Sequence, residues 1–369
     1  MNHLASALED VETLLRLLSL ALLVFLFVRA LPTTEQPPIR SAQWLLTRVV
    51  VTSLILLGLV SALNYIVNPL GIYSSHFFDP IVLHSRAEKM RLYRTVQPSP
   101  EIVVLGASTS FTMSPAYIRE RTGRPAFNAS LQGGVPGDYL AFLHYMASLG
   151  KLPKLLIVPL AVELMRPNMP TGFEPHNPLE PYLMERTDEI LGGVRRLVTL
   201  EQTRASIRLL IAEARGRPPS QYRFDADGWG HFRESDAPLE KIVDFYMATK
   251  DWGPELFGFR DLDNAQIGYF HRFLTLAQRL GVKVIVYVPP LYPRALAFYE
   301  RETNFPALRT KLLGQLDSWR GQGLIAAVHD FAHVESFGGR ASEFHDLAHP
   351  TEAASRRMLD LMLPPRARS

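Results

Sequence analysis

Three kinds of hydrophobic run succeed one another along the chain, and each predicts a different element. Residues Val49 to Val67 (VVVTSLILLGLVSALNYIV) hold 19 positions without a charge, directly after Arg48. At about 1.5 Å per residue such a helix covers about 28 Å, close to the roughly 30 Å of a bilayer's hydrocarbon. The run predicts a spanning helix at 49–67, with Asn64 and Tyr65 at the interface. An earlier apolar run, Leu17 to Val28, is 12 residues long and lies between Arg16 and Arg29. Within 14–31 it either spans, with its arginines snorkelling, or lies in the interface. It does not read as a usual cleaved signal, because Glu9, Asp10 and Glu12 precede it and no small-x-small site follows. Arg29, Arg40 and Arg48 put the connection between the two runs on the cytoplasmic side, so the chain after Val67 faces the other side.

Residues 68–100 read as a juxtamembrane linker: a turn-rich exit, a short basic helix at 82–95 near the bilayer, and a breaker at 96–100. From 101 to 365 the pattern becomes strand and helix in alternation. Strands are expected at 101–106, 125–130, 154–162, 282–290 and 324–331. The continuous apolar type of KLLIVPLAV and VKVIVYVPP is that of strands buried on both faces of a parallel sheet. Helical periodicity falls at 138–149, 199–214, 265–280 and 306–320, and a last helix is expected to start with Pro350 at its first position. The fold class is α/β with a central parallel sheet. The interval 163–273 is too long for a loop and reads as an inserted cap over the carboxyl edge of the sheet.

Composition narrows the function. The 369 residues include 39 basic and 36 acidic ones, a formal charge of +3, too even for a nucleic-acid footprint. The apolar share of 47% supports a sizeable core. Cysteine is absent, which excludes a disulfide scaffold, a thiol nucleophile and thiolate metal sites.

Three stretches carry candidate chemistry. VVLGASTS (103–110) ends a strand in a small-residue turn that presents Ser108, where an open α/β sheet places its ligands. A serine there serves as nucleophile, with its own N–H turned to an oxyanion. FNASLQGGVPGD (127–138) follows the second strand, and Gly133 and Gly134 permit close backbone approach to a ligand. In EFHDLAHPTEAAS (343–355), Asp346 and His349 stand three apart, a spacing at which a carboxylate can orient an imidazole toward a serine. Each stretch alone also reads as an ordinary turn.

Taken in order, the serine after strand one, the Gly/Asn turn after strand two and the late DxxHP resemble the SGNH (GDSL-type) hydrolase superfamily over about 101–362. The resemblance implies a flavodoxin-like three-layer fold. It implies Ser108 as nucleophile, Asp346 and His349 as its partners, Gly133 as an oxyanion-hole donor, and no cofactor. With the membrane segment, the chain looks like membrane-anchored bacterial SGNH-like proteins of the DltD-like and alginate-acetylation type, which handle acyl groups on envelope polymers. That implies an inner-membrane protein whose catalytic domain faces the periplasm or exterior. Its partners would be an acylated or acceptor glycan, the membrane and other membrane components of a polysaccharide-modification system. Hydrolase and O-acyltransferase stay equally open.

The chain departs from the superfamily pattern in two places. Ala107 replaces the usual Asp of the first block, and the third-block Asn is missing, with Glu163 the nearest match. Asn128 and Asn168 are the amides that could substitute. Two rival readings remain. One is a metal site from His329, Asp330, His333, His345, Asp346 and His349, disfavoured because neither i,i+4 histidine pair sits within a helix. The other is a glycan-binding or assembly domain without turnover, using Tyr222, Trp229, Phe232 and Trp252.

Overall fold

A computed structural model describes residues 38–69, 77–78, 85–167, 178–183, 197–216, 222–232, 237–248, 258–363 and 365. The apolar run Leu17 to Val28, Asn168 and Trp252 lie outside these residues. Five parallel strands form the sheet: β1 (Ile102–Val104), β2 (Ala126–Asn128), β3 (Leu155–Pro159), β6 (Lys283–Val288) and β7 (Ala327–Asp330). Their order is β2-β1-β3-β6-β7. Val103, Val104, Leu156, Ile157 and Val158 expose no surface, as continuous apolar strands covered on both faces should. The strands are shorter than the apolar runs that predict them; β1 ends at Val104, and once the Leu105 N–H has donated to the Ile157 carbonyl at 3.0 Å the chain turns into Ser108–Ser110.

Helices cover both faces. On one lie α3 (Pro115–Thr122) and α10 (Glu352–Met362), joined by Tyr117 Oη donating to Asp360 Oδ1 at 2.6 Å and Arg121 Nε to the Leu363 carbonyl at 2.7 Å. On the other lie α4 (Pro136–Ser148), α7 (Asn264–Arg279) and α9 (Phe305–Gly321). Tyr139, Phe270, Phe273 and Trp319 interlock there with ring centroids 5.6–6.5 Å apart. The starts of these helices are legible. Ser114 Oγ accepts the Tyr117 N–H ahead of Pro115, and Asp263 Oδ1 accepts the Gln266 N–H. Helix α7 packs on α4 as a regular crossover, so the insertion ends at Asp263 rather than at 273.

The last helix starts later than expected. Pro350 lies ahead of it in an isolated antiparallel bridge with Phe344, and Thr351 occupies the N-cap position of α10. The proline carbonyl is used elsewhere, as an acceptor for Thr112.

Within the insertion, α5 (Leu200–Ala214), α6 (Leu239–Ala248) and the hairpin β4 (Tyr222–Phe224)–β5 (Gly230–Phe232) are formed. Helix α1 (Pro38–Val67) contains a stretch, Gln43–Val67, long and apolar enough to cross a membrane. Its Leu46, Leu54, Ile55 and Leu59 are 58–65% exposed, so they do not serve the core of this fold. Its end is held by α5. Asn64 is fully buried, donates to the Leu197 carbonyl at 2.7 Å and Thr203 Oγ1 at 3.0 Å, and accepts from Ser206 Oγ at 2.8 Å. Asn64 is therefore a clasp between the two helices.

The basic helix expected near the bilayer is α2 (Ser85–Thr95), and it is part of the domain. Lys89 and Tyr93 expose nothing, and Arg86 is 9% exposed. Arg86 pairs with the buried Asp138, while the Lys89 ammonium donates to the carbonyls of Asn128 and Gly228 and lies 4.2 Å from the Phe224 ring centroid. A cation without a carboxylate at this depth is held by carbonyl dipoles and ring faces.

Candidate active site

Ser108 begins a single 3₁₀ turn, Ser108–Ser110, at the carboxyl end of β1. Gly106 makes the turn possible: a Cβ there would meet Pro159 Cγ of the adjacent β3 at 2.1 Å. Among the described residues, neither the Ser108 N–H nor the Gly133 N–H donates to a protein acceptor. For Ser108 this follows from its place at the head of a helical turn, where N–H groups lack intrahelical partners.

The imidazole comes from 241 residues further on. His349 Nε2 lies 2.9 Å from Ser108 Oγ. On the other side of the ring, His349 Nδ1 is 2.7 Å from Asp346 Oδ2 and 2.9 Å from Asp346 Oδ1. Asp346 also closes its own loop, Oδ1 accepting the N–H groups of Ala348 and His349 at 2.9 Å each. The His345 N–H donates to the His349 carbonyl at 2.8 Å. A peptide so tied leaves the imidazole little freedom. The loop is fastened to the serine turn by Thr112, whose Oγ1 donates to the Pro350 carbonyl at 2.9 Å and lies 2.8 Å from Ser355 Oγ.

The Gly133 turn approaches the same edge. Gly133 adopts φ +55°, the left-handed region that favours glycine. The Leu131 N–H donates to the Gly106 carbonyl at 2.8 Å, and a Cβ on Gly134 would lie 2.6 Å from that oxygen. Ala107, Val135, Ala161 and Leu164 form a small buried cluster, so the turns after β1, β2 and β3 pack on one another. Ser108 follows Ala107, Glu163 precedes Leu164, and Gly133 stands two residues before Val135.

Asn128 does not reach an oxyanion. Its amide nitrogen donates to the carbonyls of Ser110, Met113 and Phe111 at 2.8, 2.9 and 3.2 Å, and its oxygen accepts the Ser130 N–H at 2.9 Å. It is fully buried and braces the serine turn from behind. The accessory role expected for it is corrected to a structural one, because every polar atom of the amide is already engaged.

Electrostatics distinguishes the two carboxyls near His349. Burial pushes Asp346 up, but the His349 charge, its ring N–H and two backbone N–H groups outweigh this and hold Asp346 below the usual carboxylate range. Glu163 goes the other way: burial raises it, against lowering by its own backbone N–H, Arg166 and His349.

The hairpin forms one wall. The Asn128 N–H donates to the Asp227 carbonyl and the Gly230 N–H to the Phe111 carbonyl. Phe232 lies 5.0 Å from the His349 ring and 5.1 Å from the His345 ring, and Trp229 packs on His231 at 4.4 Å. The histidines of the metal alternative are separated. His333 pairs with Glu300, His329 packs on Phe331, and His349 faces Ser108. Among the described residues no three metal-ligating side chains converge.

Sequence reasoning missed Arg86, Lys89 and Thr112. Basic residues on a short polar helix, and one threonine in a turn, carry no signal that they are buried. Against known protein families and curated proteins the chain finds no counterpart, for no family model matches it and no curated relative is found.

Proposed function

We propose that the protein is a membrane-anchored, extracytoplasmic acyl-ester hydrolase or O-acyltransferase of the SGNH type, acting on a cell-envelope or exported polysaccharide. The observation that carries the proposal is the unbroken chain Ser108 Oγ, His349, Asp346, at 2.9 and 2.7 Å, at the carboxyl edge of a parallel sheet. The strand order β2-β1-β3-β6-β7 is in keeping with the flavodoxin-like arrangement of that superfamily.

In this mechanism His349 Nε2 takes the Ser108 proton as Oγ attacks an ester carbonyl. Asp346 supports the imidazolium and fixes the tautomer. The Ser108 and Gly133 N–H groups hold the oxyanion. Collapse expels the alcohol, which takes the proton from His349 and leaves an acyl-serine. Water or a sugar hydroxyl then gives its proton to His349 and attacks the acyl carbon; His349 returns the proton to Ser108 Oγ as the acyl–serine bond breaks, releasing the acid or the acylated sugar. The acceptor depends on how far the insertion excludes water.

Membrane anchorage rests on the exposed apolar surface of α1 and on the basic residues Arg40 and Arg48 in its amino-terminal part, ahead of the uncharged run 49–67. The Asn64 clasp, which holds α5 to the end of α1, supports a site close to the bilayer, where a membrane-held polymer-modifying system would present its glycan.

The test is ester turnover by the full-length protein in detergent, with chromogenic acetyl esters and acetylated glycans. Wild type is expected to turn over, with Ser108→Ala lower by at least about 10³-fold. Equal inertness of the two, with glycan binding retained, supports the alternative of a binding or assembly domain.

A further inference from the structure

From their end turns, β1 connects to β2 on one side and β3 connects to β6 on the other. Such a switch point opens a crevice at the carboxyl ends of the strands. Ser108 stands on the first turn. On the second, the 3₁₀ turn Val162–Met165, Val162, Leu164 and Met165 are buried and Glu163 alone is partly exposed. The packing of Ala161 and Leu164 on Ala107 and Val135 presses this turn against those of Ser108 and Gly133.

We propose that Glu163, as a neutral carboxylic acid, is a third donor to the oxyanion, filling the place where an amide side chain would otherwise stand. The proposal rests on the acyl-transfer reading above. Among the described residues no cation lies within ion-pair reach of Glu163. The groups that face it are Arg166 on its own turn, His349 across the crevice, Tyr139 of α4 and Tyr299 of α8 (Pro293–Glu302). Both tyrosines are buried and stay protonated, since burial raises them. Desolvation of Glu163 raises it as well and favours the form that carries an O–H. Ionised, the carboxylate would repel the developing oxyanion. Protonated, it donates a hydrogen bond that strengthens as charge builds on the carbonyl oxygen.

The competing role for Glu163 is a second carboxylate supporting the His349 imidazolium. The two roles predict opposite pH dependence. A neutral donor loses activity as pH rises through the Glu163 pKa, whereas an ionised support gains it.

The experiment compares wild type, Glu163→Gln and Glu163→Ala, each full-length. It measures the pH profile of ester kcat/KM and the rate at which a fluorophosphonate modifies Ser108, with thermal unfolding to establish folding. Gln keeps an N–H donor that does not titrate. Glu163→Gln is expected within about tenfold of wild type near neutrality, without the alkaline decline, and Glu163→Ala lower by about 10²–10³. If Ser108 reacts in all three at equal rates, or Gln is as poor as Ala at every pH, or Gln keeps the wild-type alkaline limb, Glu163 is not the donor and the acyl-transfer reading stands. A wild type whose serine never reacts overturns both.

Discussion

Arg86 grips Asp138 with two hydrogen bonds, Nη2 to Oδ2 at 2.6 Å and Nε to Oδ1 at 2.9 Å, and neither side chain is more than 11% exposed. The pair joins α2 to the turn that carries Gly133. Arg86 also donates to the carbonyls of Gln132 and Gly133 at 3.2 and 3.4 Å. Asp138 Oδ2 accepts the Val135 N–H at 3.1 Å, at the start of α4.

Breaking the pair leaves a charge buried without its partner. Arg86→Ala is expected to cost about 3–5 kcal/mol in unfolding free energy. The double variant Arg86→Met with Asp138→Leu should be less harmful than either single change, because it removes both charges together. Denaturant unfolding of the four proteins measures the coupling. Additive losses would show that the pair is not a unit.

Lys89 predicts a pH dependence of stability. Burial drives its pKa well below the ordinary lysine value, against the raising influence of Asp227 and Glu88. Between the folded value and roughly 10.4, the unfolded chain binds the extra proton, so stability rises with pH across that window. Below the folded value both states are protonated, and the cost of burying the ammonium is paid in full. Lys89→Met should flatten the curve over the same window. Unfolding midpoints at a series of alkaline pH values check this, and a parallel pair of curves would contradict it.

Thr112 predicts a loss of activity at a residue outside the reacting chain. Thr112→Val keeps the shape but leaves the Pro350 carbonyl without its donor, at a cost of about 1–3 kcal/mol. It also frees the His349 loop from the serine turn. Ester kcat should fall, with KM less affected, while fluorophosphonate still reaches Ser108 at a reduced rate. Unchanged kinetics in a destabilised variant would limit Thr112 to folding.

How far the sequence announced this arrangement differs from residue to residue. Apolar runs such as KVIVYV announced strands, because burial on both faces leaves no room for polar residues. Ser108, Asp346 and His349 stood out because reactive side chains follow strand ends or share a tight turn. Strand order was hidden, since parallel pairing joins segments far apart and depends on packing between them. Asn128 drew notice as a polar residue beside a glycine turn, yet its amide is engaged by backbone carbonyls 15 and 18 residues away, a pairing set by tertiary packing. Lys89 ran against composition, because a basic residue on a polar helix is normally solvated. The late start of α10 came from competition, the Pro350 carbonyl and the Phe344 bridge holding the chain extended where proline could have begun a helix.

The most direct measurement is the site of covalent labelling by a fluorophosphonate in membranes carrying the full-length chain. Peptide mass spectrometry should place the adduct on Ser108 in wild type. Labelling should be abolished in Ser108→Ala and slowed by about 10²–10⁴ in His349→Ala. An adduct elsewhere, or equal labelling of wild type and His349→Ala, would contradict a serine activated by that imidazole.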